Sequence, residues 1–201
     1  MLLSKKKMKK IGMQGFSLIE LMVTITIVVL VTGIVLFRYS SFNSAVLLNS
    51  QAYFVAFDLR EAQSLAISVR GRGDEFREEY GIYFDISTPN RYLLFQDEGG
   101  LSLPQYDEGE EINAPYVIDP RFTIVDLCAT PSGTGVESCY SEGGPATISV
   151  SFARPDFDAV MYGEGIGELS SAKIVLGVSN DDSFRKVVEV TSAGQIAVQS
   201  Y

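Results

Sequence analysis

The sequence of 201 residues has no histidine, no tryptophan and only two cysteines. Without histidine the chain lacks the commonest general base and the commonest metal ligand, which excludes most hydrolase and zinc-enzyme mechanisms. Basic residues are also scarce beyond residue 15, where 11 basic side chains face 25 acidic ones. Because nucleic-acid affinity rests largely on Lys and Arg displacing counterions, so acidic a body is a poor candidate for binding phosphate backbones.

Other catalytic and ligand-binding motifs are missing as well. A Ser–Lys pair would have to use Lys173 or Lys186, and both fall inside predicted strands. The glycine-rich segment 163–167 contains an acid and has no GK[ST] ending, so it predicts a turn and not a phosphate loop. The acidic segment 97–111 lacks the alternating Asp/Asn pattern of a calcium loop, and we expect a solvated loop open to a partner. The sequence therefore predicts no enzyme activity, no cofactor and no metal.

Charge is almost absent from residues 16–37, whose only ionisable side chain is Glu20. As a helix this stretch would be roughly 33 Å long, enough to cross a hydrocarbon core of about 30 Å. Five lysines precede it, so the positive-inside rule puts residues 1–15 in the cytoplasm. A secretory signal peptide would have a shorter apolar core followed by a cleavage site. A plain signal anchor fits the length but leaves Glu20 unexplained, because a carboxylate at the centre of a membrane helix is unfavourable by about 2.5–3.5 kcal/mol.

The junction at residues 15–23 (GFSLIELMV) resembles the processing site of type IV prepilins and type II secretion pseudopilins. The shared features are a short lysine-rich leader, Gly before the cut, Phe after it, Glu at the fifth mature position and an apolar run. The resemblance implies that a prepilin peptidase cleaves between Gly15 and Phe16 and N-methylates the Phe16 amine. It also implies that Glu20 compensates the positive N-terminus of a neighbouring filament subunit, because such a pair in lipid removes much of each partner's desolvation penalty.

A single helix is predicted over residues 16–70, with a transmembrane half (16–37) and an amphipathic half (38–70). Neither Gly nor Pro occurs between Gly33 and Gly71, and apolar residues recur every three or four positions in the second half. Such a stripe could form a coiled-coil seam, but its alanines favour close packing on a sheet. The stripe consists of Ala45, Leu48, Ala52, Val55, Leu59, Ala62, Ala66 and Val69.

From residue 71 the apolar period changes to two, which is typical of strands. Strands are predicted at 82–86, 92–96, 121–127, 147–152, 172–178, 184–191 and 195–199. A long helix followed by strands of this kind predicts an α+β, pilin-like fold, with the N-terminal helix packed on an antiparallel sheet. Residues 71–201 would form one extracytoplasmic β-rich domain after a cleaved cytoplasmic leader of residues 1–15.

Three further segments resemble H-type minor pseudopilins and FimT-like minor pilins: 59–62 (LREA), 152–155 (FARP) and 194–198 (GQIAV). Two positions differ, because Gln195 stands where many relatives have Arg, and Phe157 where a turn glycine often follows. The first difference weakens a role in DNA capture. The resemblance implies a non-enzymatic minor pseudopilin of a type II secretion pseudopilus, which exports proteins. The alternative is a minor pilin of a type IV pilus, serving pilus biogenesis or, less favoured, DNA uptake.

That resemblance also implies a location and a set of partners. The chain would cross the bacterial cytoplasmic (inner) membrane once, with its N-terminus inside and its C-terminal domain outside, before entering an envelope-spanning or surface filament. Its partners would be prepilin peptidase, other pilins or pseudopilins and an inner-membrane assembly platform, with nucleic acid not favoured.

The two cysteines, Cys128 and Cys139, are separated by ten residues. Outside the cytoplasm two cysteines and no others imply a disulfide. Two buried free thiols are the alternative, and the absence of C-x-x-C spacing argues against a redox role. We expect a disulfide that closes an internal loop.

Overall fold

A computed structural model describes residues 15–68, 79–97, 104–152, 157–179 and 181–201, with only the backbone of 37–42, 181 and 182. The chain divides into two compact units, Met1–Asn43 and Ser44–Tyr201. One helix, α1 (Leu18–Ile67), contributes residues to both units. The ends of α1 differ from the predicted ends by two or three residues, as is usual where terminal turns lack hydrogen-bond partners. Val69 and Arg70 lie outside the described residues.

In the described part of the chain ten strands follow the helix, and every pairing among them is antiparallel. They are β1 (Glu79–Asp85), β2 (Arg91–Asp97), β3 (Tyr116–Val117), β4 (Phe122–Pro131), β5 (Ser138–Cys139), β6 (Thr147–Phe152), β7 (Ala159–Gly163), β8 (Gly167–Val178), β9 (Asp181–Thr191) and β10 (Ile196–Ser200). The predicted α+β fold is therefore confirmed, with seven strands at the positions predicted from the sequence.

Three strands were not predicted. β3 and β5 contain two residues each, too few to show a period. β7 has the sequence AVMYG, which is apolar on both faces, although its residues alternate between buried and half-buried. The glycine-rich segment 163–167 forms the turn between β7 and β8, with positive φ at Gly165 and Gly167.

The sheet curls because β8 changes partner along one edge. The strands are ordered β10-β9-β8-β7-β6-β1-β2-β3, and β4 pairs with β8 off this path. The first residues of β8, Gly167 and Glu168, pair with β7, whereas Leu169 onward pairs with β4. Strand β9 follows the other edge of β8 from Ser171 to Val178. One long strand thus joins two sets of strands.

The predicted apolar stripe of α1 packs on the sheet and does not form a coiled-coil seam. Its buried members share one core cluster with apolar residues of the strands, among them Phe84, Val150 and Ile174. Small side chains at three of these helix positions let the backbone of α1 approach the sheet closely. The buried stripe residues are Leu48, Ala52, Val55, Leu59, Ala62 and Ala66, joined by Ala56.

Candidate functional site: the N-terminal segment

The segment resembling a processing site lies at the exposed start of α1. Gly15, Phe16 and Ser17 precede the helix without regular structure, and the Leu21 N–H donates to the Ser17 carbonyl oxygen at 3.1 Å. Phe16 is 78% exposed, and nothing lies within 4 Å of the place where a β-carbon on Gly15 would stand. The peptide bond between Gly15 and Phe16 is therefore unobstructed by the described residues.

Glu20 lies in the first turn of α1. A carboxylate is favourable at this end of a helix because the first N–H groups carry partial positive charge and have no intrahelical partner. Its side chain is exposed, and among the described residues nothing forms a hydrogen bond or ion pair with it. Glu20 is thus the only charged residue of the apolar segment 18–36 of α1, available to a group from another molecule.

The segment Leu18–Leu36 is long and apolar enough to cross a membrane. It spans 19 residues with a mean hydropathy of 2.6, and none of it is buried inside the structure. The hydroxyl groups of Thr24 and Thr26 donate to the carbonyl oxygens of Leu21 and Met22, at 2.9 and 2.8 Å. These polar groups are therefore satisfied within the helix, as a lipid environment requires. The segment fits a membrane anchor.

Cys128 of β4 and Cys139 of β5 lie opposite each other, with their Cα atoms 3.9 Å apart, and form a disulfide. Asp126 lies beside them, and these three side chains are the one cluster of three potential metal ligands within the described residues. Both sulfur atoms are bonded to each other, so neither offers a thiolate. The Asp126 carboxylate accepts hydrogen bonds from the Leu127 and Ser141 N–H groups, at 2.9 and 3.2 Å. The cluster is suited to holding the loop closed.

The described part of the acidic loop, from residue 104, turns its carboxylates back on its own backbone. The Asp107 N–H donates to Glu110 at 2.9 Å and the Gly109 N–H to Glu111 at 3.0 Å. A hydrogen bond from the Tyr106 hydroxyl to Glu111 lowers the pKa of that carboxyl. Residues 98–103 of the predicted loop lie outside the described residues.

Polar contacts between α1 and the sheet were not anticipated from the sequence. The Tyr92 hydroxyl donates to Asp58, and the Tyr116 hydroxyl donates to Glu61 at 3.3 Å. The two tyrosine rings stack with centroids 5.4 Å apart. Burial, followed by the charge of Glu61, raises the pKa of Tyr116 to about 12. The signal in the sequence was the placement of two acids three residues apart beside the apolar stripe.

Hydrogen bonds join the last turns of α1 to the turn before β10 and to the chain before β7. The Arg60 guanidinium donates to the Ile196 carbonyl oxygen at 3.2 Å. The Gln63 amide donates to the carbonyl oxygens of Phe157 and Gly194, at 3.0 and 3.2 Å. Segments 59–62 and 194–198 are therefore in contact. Of the third segment (152–155), residues 153–155 lie outside the described residues, and Phe157 follows two positions after it. The hydrogen bonds from Arg60 and Gln63 fix α1 on the sheet.

Residues 12–36 match the family model of the prokaryotic N-terminal methylation motif. The match contains Gly15, Phe16, Glu20 and the whole apolar segment. No curated protein and no solved structure matches the chain. Together with the pilin-like α+β architecture, the motif supports a type IV pilin-like subunit, the class that includes pseudopilins. The motif implies processing by prepilin peptidase and assembly with other pilins.

Proposed function

We propose that the chain is a non-enzymatic minor pseudopilin that assembles into a type II secretion pseudopilus for protein export. The observation that carries this proposal is the methylation motif at the exposed start of a helix that continues into a segment of membrane-spanning length. Cleavage between Gly15 and Phe16 removes the leader (1–15), and the new Phe16 amine is methylated. The mature chain then has a transmembrane half (16–37), an amphipathic half (38–70) and an extracytoplasmic domain (71–201).

Orientation follows from charge and from the cysteines. The lysines of the leader favour a cytoplasmic N-terminus. The Cys128–Cys139 disulfide supports an oxidising compartment for the domain, since disulfides persist outside the cytoplasm. These two features together favour a single-pass protein of the inner membrane whose domain lies outside.

Glu20 provides the contact that selects the next subunit. Its carboxylate stands alone on the lipid-facing part of α1, where an unpaired charge is unfavourable. The methylated amine of a neighbouring Phe16 carries the opposite charge and lies at the same depth once that subunit is aligned. Pairing removes much of the desolvation penalty of both groups. The membrane-embedded helices are thereby brought into register.

The domain offers a second assembly contact. Tyr53, Phe54 and Phe57 are 56%, 61% and 64% exposed, and Val46 is exposed about two to three turns earlier on α1. These four residues, the outer aromatic face, lie away from the buried stripe. Exposed contiguous apolar surface on a soluble domain usually marks an interaction site, and aromatic residues carry much of the energy of such sites. We infer that this face packs against the helix of an adjoining subunit.

A minor pilin of a type IV pilus is the second candidate, because the same motif serves both machines. The segments 59–62, 152–155 and 194–198 support a minor subunit in either machine, since they resemble both H-type minor pseudopilins and FimT-like minor pilins. DNA capture is the less favoured role within the pilus alternative, because Gln195 supplies no cation and the domain is acidic. The partners proposed are prepilin peptidase, other pilins or pseudopilins and the inner-membrane assembly platform.

Peptide mass spectrometry on protein from native membranes tests the proposal. We expect a mature chain that starts at Phe16 and carries one added methyl group. A chain that retains Lys5–Lys10, or is cut elsewhere, overturns the proposal. Glu20→Gln should be cleaved normally yet fail to enter filaments. Glu142→Gln, an equal charge change on an exposed residue of the domain, should be cleaved normally and should also enter filaments. Loss of export in a deletion strain, with piliation intact, would select the pseudopilin over the pilin.

A further inference from the structure

A cleft lies on the face of β1 and β2 that points away from α1. Phe84 and Leu94 belong to the core cluster that includes α1, so the alternate residues Tyr83 and Leu93, which pair across the two strands, face the opposite side. The loop 104–115 runs over that side. Between strands and loop is a cleft of about 400 Å³, lined by tyrosine, leucine, proline and several charged side chains.

Aromatic rings form a packed wall of this cleft. The Tyr106 ring lies 4.6 Å from Tyr83 and 5.9 Å from Phe95, measured between centroids. Phe95 is completely buried beneath the loop. A β-carbon on Gly81 would stand 2.7 Å from the Phe95 ring and from the Val150 carbonyl oxygen, so only glycine fits there. The rings are therefore held in place by packing.

Hydrogen bonds fix the loop over the strands. The Tyr106 hydroxyl and the Gly109 N–H both donate to the Glu111 carboxylate. The Gln96 N–H donates to the Glu110 carbonyl oxygen and the Ile112 N–H to the Leu94 carbonyl oxygen, each at 3.1 Å. A cleft built in this way is pre-formed, so a ligand need not order it on binding.

Negative charge is in excess around the cleft. Three carboxylates line it, from Asp85, Glu108 and Glu111, against one guanidinium from Arg91. The hydrogen bond from Tyr106 lowers the pKa of Glu111, which favours its ionised form. The faces of aromatic rings are also electron-rich and attract cations. This combination suits a positively charged group and repels a phosphate or carboxylate.

We propose that the cleft binds a lysine or arginine side chain presented by a partner protein. The cation would contact the tyrosine wall and form charge-assisted hydrogen bonds with the carboxylates. Exposed apolar surface adjoins the cleft and favours a protein over a free amine. Val117 is 73% exposed and pairs with Arg91, and Ile112 is also exposed. This proposal goes beyond the proposed function and does not depend on it.

Titration of the full-length chain in detergent micelles, labelled with ¹³C-tyrosine, tests the proposal. The probes are the Nα-acetyl amides of lysine and arginine, whose side chains keep their positive charge. The Nα-acetyl amide of norleucine is the uncharged control. Tyr83→Phe and Tyr106→Phe assign the two ring signals. We expect both signals to shift saturably with the cationic probes, and the binding to weaken as salt is raised. Glu108→Gln should weaken binding at least threefold, whereas Glu142→Gln, a matched loss of charge far along the chain, should not change it.

Several outcomes would overturn the proposal. These are the absence of a saturable shift, an equal shift with the norleucine amide, and equal effects of the two glutamate variants. A shift of the same signals by a neutral disaccharide but by neither amide would replace it with a carbohydrate site. The titration needs neither cleavage nor assembly of the chain. Its failure therefore leaves the proposed function standing, and a failed processing experiment leaves this site standing.

Discussion

Gly194 lies directly against the carbonyl group of Phe157, so that a β-carbon on residue 194 would stand 1.8 Å from that oxygen. Gly194 also has a φ of +72°, in the left-handed region that side chains disfavour. The Gln63 amide of α1 donates to the carbonyl oxygens of both residues. The turn between β9 and β10, the segment before β7 and the helix thus meet at one glycine.

Gly194→Ala should destabilise the domain strongly. The left-handed conformation costs a non-glycine residue roughly 1–2 kcal/mol, and the contact with Phe157 adds to that cost. Gly165→Ala is the matched control, because Gly165 has a φ of +76° but nothing within 4 Å of its β-carbon position. Thermal unfolding of the full-length chain in detergent, followed by circular dichroism, should show a clearly larger loss at position 194. Equal losses would mean that the backbone at Phe157 yields without cost.

Local patterns made the main elements predictable. The stripe from Leu48 to Ala66 repeats at helical spacing, and Ile82 and Phe84 alternate with half-buried residues, so the helix and the three alternating strands followed from periodicity. The processing segment was predictable for another reason. Its residues are contiguous, and Gly15, Phe16 and Glu20 keep a fixed spacing whatever the fold of the domain.

Contacts between distant residues were not predictable in this way. Asp58 and Tyr92 are 34 positions apart, and Gln63 and Gly194 are 131 apart. Each pairing depends on how α1 lies across the sheet, which no local period encodes. The cleft between β1, β2 and the loop 104–115 was not predictable for the same reason, because its wall combines Tyr83 of a strand with Tyr106 of a loop that the sequence marked only as acidic.

A like-charged pair should make stability depend on pH. Glu79 of β1 lies opposite Asp97 of β2. Burial, and then the charge of Asp97, raise the pKa of Glu79 above 4.5, while a hydrogen bond from Ser151 opposes them. The ionised form of Glu79 therefore destabilises the folded chain. This destabilisation is fully present above the raised folded-state pKa and disappears as pH falls to 4.5, the ordinary value.

Glu79→Gln should therefore raise the melting temperature at pH 7 and change it little near pH 4.5, while still accepting the hydrogen bond from Ser151. Other carboxyl groups titrate over the same range, so the useful quantity is the difference between variant and unmodified chain at each pH. Glu142→Gln controls for the loss of one charge and should give a smaller, flatter difference. A stabilisation by Glu79→Gln that is independent of pH would contradict the assigned cause.

The disulfide should contribute measurably to stability. A cross-link that closes a loop of this length restricts the unfolded chain and stabilises the fold by slightly under about 3 kcal/mol in the chain-entropy argument. Replacing both Cys128 and Cys139 by Ala should lower the free energy of unfolding by about this amount, and a reducing agent should then have no further effect. If reductant destabilises the double variant as much as the unmodified chain, the loss has another origin.

The outer aromatic face gives the sharpest test of assembly outside the membrane. Phe54→Gln and Phe57→Gln replace exposed side chains with good helix formers, so the free energy of unfolding should change by less than about 0.5 kcal/mol. Incorporation into filaments, measured by co-purification with partner pilins, should nevertheless fall sharply, because the aromatic surface that a neighbouring helix would cover is gone. Val136→Gln removes a similarly exposed apolar side chain from the loop between β4 and β5 and should assemble normally. Normal incorporation of both phenylalanine variants would show that subunits meet through another surface. A loss shared by all three variants would point to a general effect of reduced surface hydrophobicity and not to a specific helix contact.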